Sequence, residues 1–312
     1  MVGMSRTAPA NRGGLSRDGR PDPATEAFLA HRNLLFTVAY EMLGSAADAE
    51  DVLQETWLRW MGVDLATVRD QRAYLVRMTT HQALTQLRTI GRRKESYLGP
   101  WLPEPLLTAP DVAKDAELAD SLSMAMMLVL ETLAPTQRAV FVLREVFDLE
   151  YDEIAEAVGK TPAAVRQIAH RARAHVAQRQ PRGAVTAAQT REAIVAFQWA
   201  IETGDLQRLL DKLAPDVVLL GDGGGVREAV LHPVFGADAV GRLLAGGLPR
   251  IGGAGSAELV QINGGPALII RLGGRIEQVV AIRTDDGLIS GLYIVRNPEK
   301  LSRVERETPM SR

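Results

Sequence analysis

Between Arg166 and Arg182 the chain carries no acidic residue, and Arg166, Gln167, His170, Arg171 and Arg173 fall at helical spacing on one outer face. Arg and Gln make bidentate hydrogen bonds to base edges, and Arg holds phosphates. Such a face suits the major groove; a solvated basic helix in an ordinary bundle is the plainer alternative. The residues before it favour the groove. Asp152–Val158 has the pattern of a short helix and Gly159 supplies a left-handed stop. Thr161 is a good N-cap, and Pro162 sits where a helix tolerates it. Val165, Ile168, Ala169, Ala172 and Val176 then form an inner face, opposed by Ile154 and Ala155. This is the pattern of a helix-turn-helix.

Three weaker clusters accompany it. A long helix from about Gln71 carries Tyr74, His81 and Gln82, and ends in Arg88, Arg92, Arg93 and Lys94. Cations beside aromatic groups suit separated nucleic-acid strands, but a basic last turn also simply complements a helix dipole. The helix from about Ala46 to Met61 has Asp48, Asp51, Gln54 and Glu55 on one face, near Trp57 and Trp60. That stripe repels phosphates and suits either a basic protein surface or plain solvent. Asp222 and His232 could form an acid–base pair; the blander reading, that Asp222 shapes a glycine turn and His232 sits in a loop, is preferred.

The elements that must position these groups fall into blocks. Residues 24–96 read as all-helical, with Phe28, Leu35, Val38 and Met42 at helical spacing and a Gly44–Ser45 break. Pro100, Pro103, Pro105 and Pro110 make the next stretch an extended linker, 97–120, which ends acidic at Asp111, Asp115, Glu117 and Asp120. Residues 121–180 are helical again, and SMAMMLVL reads as a core helix. After about 188 one helix precedes strand-like runs such as ALIIRL and RIEQVVAIRT, separated by GG and DDG turns, so the last block is α+β. Residues 1–23 read as a mobile tail with no secretory h-region.

At 312 residues with a net charge of −2, the chain has room for two or three domains. Local patches, not global charge, decide phosphate binding. The chain has no cysteine, which excludes disulfides and thiolate zinc sites, and its five histidines lack ligand spacing. No metal or cofactor is expected, no run is long enough to span a bilayer, and a cytoplasmic location is expected.

Together these segments resemble the extracytoplasmic-function sigma factors of bacterial RNA polymerase. GSAADAEDVLQETWLRW resembles sigma region 2.2, AYLVRMTTHQALTQLRTIGRRK regions 2.3 and 2.4, and LETLAPTQRAVFVLREVFDLEYDEIAEAVGKTPAAVRQIAHRARAHV region 4. YLGPWLPEPL, GDGGG and NPEKL resemble marks of a subgroup with a C-terminal SnoaL-like domain. The resemblance implies two all-α sigma domains, a region 2 bundle and a region 4 helix-turn-helix, followed by an α+β NTF2/SnoaL-like cone over 188–303. It implies core RNA polymerase, through its β′ and β subunits, and promoter DNA as partners. It puts polymerase contacts on Asp48, Asp51, Gln54 and Glu55. The −35 contacts fall on Thr161, Ala164, Arg166, Gln167, His170, Arg171 and Arg173, and the −10 contacts on Tyr74, His81, Arg88, Arg92, Arg93 and Lys94. Regulatory interdomain contacts fall on Trp101, Leu102, Pro103, Glu104, Asp222, Gly223, Gly224, Gly225, Asn297, Pro298 and Lys300. Val226 and Glu299 depart from the subgroup's usual Lys and Asp. The acidic linker is expected to mimic RNA in the polymerase channel. The last domain is expected to regulate without catalysis; the alternative is a small-molecule sensor or enzyme.

Overall fold

The computed structural model describes residues 22–109, 112, 115–179, 187–248 and 255–312. The tail over residues 1–21 and the linker acid Asp111 lie outside the described residues. Helix α1 (Pro23–Leu43) starts on the last residue of the expected tail, because the Asp22 carboxylate accepts from the Ala24 and Thr25 amides and Pro23 takes the first position. Gly44, at φ +72, ends it. Ser45 then caps α2 (Ala46–Trp60), and α3 (Gln71–Glu95) completes the first bundle. Tyr40, Leu75 and Trp60 are fully buried there, and the Trp60 indole donates to the Ala24 carbonyl at 2.8 Å.

The end of the expected linker is helical. Asp115 caps α4 (Ala116–Leu122) through the Leu118 amide, and α5 (Met124–Glu131) follows, burying Met124, Met126, Met127 and Leu130. Helix α6 (Pro135–Phe141) runs into a π-type turn at Val142–Val146. The helix-turn-helix is α7 (Tyr151–Val158) and α8 (Pro162–Ala177), with Gly159 at φ +65 and Thr161 accepting from the Ala164 amide. Val165, Ile168, Ala169, Ala172 and Val176 are the buried face. The two helical halves share one apolar core that runs from Ala24 to Val176. Arg77 on α3 meets Glu156 on α7 at 2.6 Å across their boundary.

The last block is the expected α+β cone. Helices α9 (Ala187–Thr203) and α10 (Gln207–Leu210) precede β1 (Leu213–Asp222) and β2 (Val234–Phe235). Helix α11 (Ala237–Gly247) leads to β3 (Gly255–Ile262), β4 (Gly265–Leu272), β5 (Arg275–Asp285) and β6 (Leu288–Val295), and α12 (Pro298–Leu301) follows. The sheet order is β2-β1-β6-β5-β4-β3, antiparallel except for the β1–β6 pair.

Both faces of this sheet are covered. Leu268, Ile270, Val280, Ile282 and Leu292 pack inward against α9 and α11. Their chain neighbours Ile269, Val279, Ala281 and Tyr293 face out and pack on Leu102 of the linker and Met124 of α5. The C-terminal strap beyond α12 completes the contact. Thr308 bonds the Leu107 carbonyl, Met310 joins the helical core, and Arg312 pairs with Asp115 and Glu117.

Inside the helical core, Glu41 is fully buried. Its carboxylate accepts from the Ser121 hydroxyl at 2.8 Å, while Arg138 Nε donates to its backbone carbonyl at 2.9 Å. Burial pushes the Glu41 carboxyl up to about 8. The contribution of the protonated form is therefore fully present below the ordinary Glu value of about 4.3 and is lost as pH rises through about 8. Glu41→Gln should flatten the melting-temperature profile between about pH 5 and about pH 9. A variant profile parallel to wild type would refute the assignment.

Candidate functional site: a buried latch beside two basic faces

Side chains alternate across β1, so Leu219 and Gly221 face the cone interior while Leu220 and Asp222 face the linker. Asp222 is fully buried and collects donors from three segments. Lys300 Nζ donates to Oδ2 at 2.7 Å and to the Leu102 carbonyl at 2.5 Å. The Leu102 amide reaches the same carboxylate oxygen at 3.0 Å. The Tyr97 hydroxyl donates to Oδ1, where the Gly224 amide also arrives at 3.1 Å. Asn297 Nδ2 donates to the Tyr97 oxygen at 2.9 Å.

The Lys300 ammonium lies 3.5 Å from the centroid of the Trp101 ring, which Tyr97 meets edge-on. Burial lowers the Lys300 pKa, and Asp222 opposes that shift. Burial and the bond to Asp222 raise the Tyr97 pKa. The glycines allow the approach: Gly224 sits at φ +65, and a Cβ there would stand 2.5 Å from the Asn297 side chain. Val226 is exposed outside this cluster, and Arg227 beside it reaches Glu277 at 3.9 Å.

A second grip holds the rest of the linker. Glu104 accepts from the Ala46 amide at 2.7 Å, so a linker carboxylate joins Ser45 in capping the N-terminus of α2. Pro103 packs near Gly44. The Tyr40 hydroxyl donates to the Glu104 carbonyl and accepts from Asn263 Nδ2 at 2.7 Å. Asn263 also accepts from the Leu106 amide at 2.7 Å and donates its own amide back to the Leu106 carbonyl. Asn263 and Gly264, both at positive φ, form the tip of the β3–β4 hairpin. A Cβ on Gly264 would lie 2.6 Å from Ala119 of α4, so the tip is pressed into the helical half.

The regulatory residues expected from sequence thus gather along one linker. Asp222 and His232 do not come together. Asp222 faces away from the cone interior with its carboxylate committed, and His232 is exposed. Asp222 also bonds the Gly224 amide, as the turn reading expected. Among the described residues no cluster of three potential metal ligands occurs, and no helix is long and apolar enough to cross a membrane.

On α8, Thr161, Arg166, Gln167, His170 and Arg171 are exposed and Ala164 is half-buried in the first turn. Arg166 lies over the Tyr151 ring, and Arg173 is tied to the Tyr151 hydroxyl and Glu145. On α3, His81, Arg88 and Arg92 are exposed, while Tyr74 is wedged between Trp60 and Arg77.

Two expectations need correction. Asp48 is buried, not on the outer stripe with Asp51 and Gln54, because Arg93 and Gln86 of α3 bind its carboxylate at 2.5 and 2.9 Å. Arg93 is accordingly paired across the bundle. Lys94 is also not free. It is half-buried, bound to Glu131 of α5 at 2.6 Å, and 5.2 Å from the face of Trp101. Asp51 and Gln54 are exposed, and Glu55 pairs with Arg59, one turn on.

Sequence reasoning missed Tyr97, Asn263, Tyr40 and Glu131. Two had a readable signal: Tyr97 opens the YLGPWLPEPL stretch, and Asn263 begins an Asn-Gly pair between two strand-like runs.

Comparison with known proteins agrees with this architecture. Residues 27–93 match the Sigma-70 region 2 family and residues 123–176 match Sigma-70, region 4. The ECF RNA polymerase sigma factor SigJ of Mycobacterium tuberculosis is 36% identical over 290 residues, 88% of this chain and 92% of that one. The probable ECF RNA polymerase sigma factor SigI of the same species is 30% identical, covering 92% of this chain and 97% of its own. The crystal structure of M. tuberculosis extracytoplasmic function sigma factor SigJ superposes with a TM-score of 0.71 at 35% identity, over 89% of this chain and 98% of that one. Sigma factors of this kind bind core RNA polymerase and promoter DNA and act without catalysis. The chain therefore belongs to the extracytoplasmic-function RNA polymerase sigma factors, which direct promoter-specific transcription initiation.

Proposed function

We propose that this sigma factor is held shut by its own C-terminal domain and opens when it engages core polymerase in the cytoplasm. Sigma domains close to 24–96 and 121–180 are the moving parts, and the domain at 188–303 is the clamp. The observation that carries this reading is the fate of Lys94: a cation expected from family resemblance at the −10 strand is held by Glu131 and shares the Trp101 ring with Lys300 of the latch. The linker that must lengthen for the two sigma domains to separate is gripped at Leu102 and Leu106.

The polymerase face is available in the closed state. Asp51, Gln54 and Glu55 point outward from α2, so docking on the β′ subunit can precede opening. Release then frees Lys94 to join His81, Arg88 and Arg92 at the −10 strand, while Arg166, Gln167, His170 and Arg171 read −35. Asp115 and Glu117 are paired with Arg312 when shut and are freed for the polymerase channel when open. A second reading keeps the clamp and makes the same domain a small-molecule sensor. A cavity of about 500 Å3 inside the cone supports it.

Asp222→Asn strands the buried Lys300. Losing one partner of a buried pair costs about 3–5 kcal/mol, enough to shift a closed state toward open. Run-off transcription by the full-length variant with core polymerase should rise several-fold, and its radius of gyration should increase. An unchanged radius and unchanged run-off would remove the clamp.

Arg166→Ala and Arg171→Ala should each weaken −35 binding by about 1–3 kcal/mol in gel-shift titrations with the polymerase holoenzyme. Wild-type affinity in both would move the −35 contact elsewhere. The double variant Asp51→Lys/Glu55→Lys should fail to copurify with core polymerase while melting like wild type. Retained copurification would exclude the α2 stripe as the docking face.

A further inference from the structure

The cavity lies on the inner face of the sheet, under α11, opposite the latch. Its wall is largely apolar, with Phe197, Leu219, Val230, Leu244 and Ile294. Polar side chains interrupt that wall: Glu228, Arg242, Glu277, Gln278 and Arg296. Gln278 on β5 is 6 % exposed, and its side-chain amide has no hydrogen-bond partner among the described residues. The Nε of Arg296 is buried and unpartnered, although its terminal nitrogens bind the Glu228 carbonyl and Glu277. At the mouth, Arg242 is exposed and has no ion pair among the described residues. A polar group facing into a mainly apolar cavity fixes the orientation of a bound molecule.

The cavity and the latch share their chain. Gly221 and Arg296 line the cavity, and their neighbours Asp222 and Asn297 belong to the latch. The Arg296 and Asn297 amides both donate to the Asp222 carbonyl, at 2.7 and 3.0 Å. A shift of Arg296 is therefore passed to Asp222 without an intervening side chain.

We propose that this cavity is an effector site for a small, mainly apolar molecule. Its carboxylate meets Arg242 at the mouth, and a hydroxyl or carbonyl oxygen inside bonds the Gln278 amide. Occupancy is coupled to the latch through residues 221–222 and 296–297. The inference rests on the clamp reading and gives the clamp a chemical input. The size fits, since ligand pockets run from about 300 to about 1,000 Å3.

The test is calorimetric titration of the full-length chain with ω-hydroxydecanoate, decanoate and decylamine. The hydroxy acid should bind best and the amine worst. Arg242→Glu, on the exposed rim, should weaken the hydroxy acid about tenfold, the loss of a charge-assisted bond, and reverse the preference toward the amine. Gln278→Leu should erase the advantage of the hydroxy acid over decanoate. No saturable binding, or binding that neither variant changes, would overturn the site and leave a cavity filled by water only. Coupling is reciprocal, so Asp222→Asn must change the affinity for the hydroxy acid; an unchanged affinity would overturn the coupling. The binding arms read the cavity whether or not the clamp controls transcription, so the two failures are distinguishable.

Discussion

Strands β4, β5 and β6 bury both of their faces. The inner face is covered by the helices of its own domain; the outer face can be hidden only by something from the rest of the chain. The linker supplies it. Leu102 is fully buried on that face and Leu107 packs beside it, while Leu106 is buried in the helical core; burying a leucine contributes roughly 1.5–3 kcal/mol. Once the linker lies on the sheet, its length is fixed, and the two sigma domains at its ends are drawn into one core. The Asp222–Lys300 pair sets the position of that linker.

The chemistry of the latch suits the proposed closed state, which must be left again when polymerase binds. A buried ion pair gains little net stability over an apolar contact, because desolvation of both charges offsets their attraction. It is nonetheless exacting about geometry: Asp222 accepts from Lys300, Tyr97, Leu102 and Gly224 only when three segments are in register. The apolar sheet face supplies attraction and the polar cluster supplies position. The same division recurs at the other end of the linker, where Glu104 caps α2 and Asn263 pairs with Leu106. Opening removes a cap from α2 and exposes apolar sheet, so it needs a partner that offers more, as a polymerase surface can.

Much of this was legible in the sequence. The helix-turn-helix was, because Gly159, Thr161 and Pro162 act within a few residues of one another. The latch motifs were legible only through family resemblance; nothing local in GDGGG says that its aspartate faces a lysine at 300. Asp48 shows why face arithmetic fails: helical spacing put it with Asp51 and Glu55, but Arg93, forty-five residues on, draws it inward. Lys94 failed for the same reason, through Glu131. The two-faced sheet did leave a trace, since ALII and VVAI are continuous rather than alternating apolar runs, as strands covered on both sides are.

A latch that holds the two sigma domains together, as proposed, must control the distance between them. The chain contains no cysteine, so a spin-label pair can be placed on α3 and α8 by Thr89→Cys and Ala174→Cys, both at exposed positions. The inter-label distance should be short and narrowly distributed in the free chain. It should become long and broad when core polymerase is added, or when Asp222→Asn is introduced without polymerase. A distribution that stays short and narrow in the Asp222→Asn chain would contradict the account.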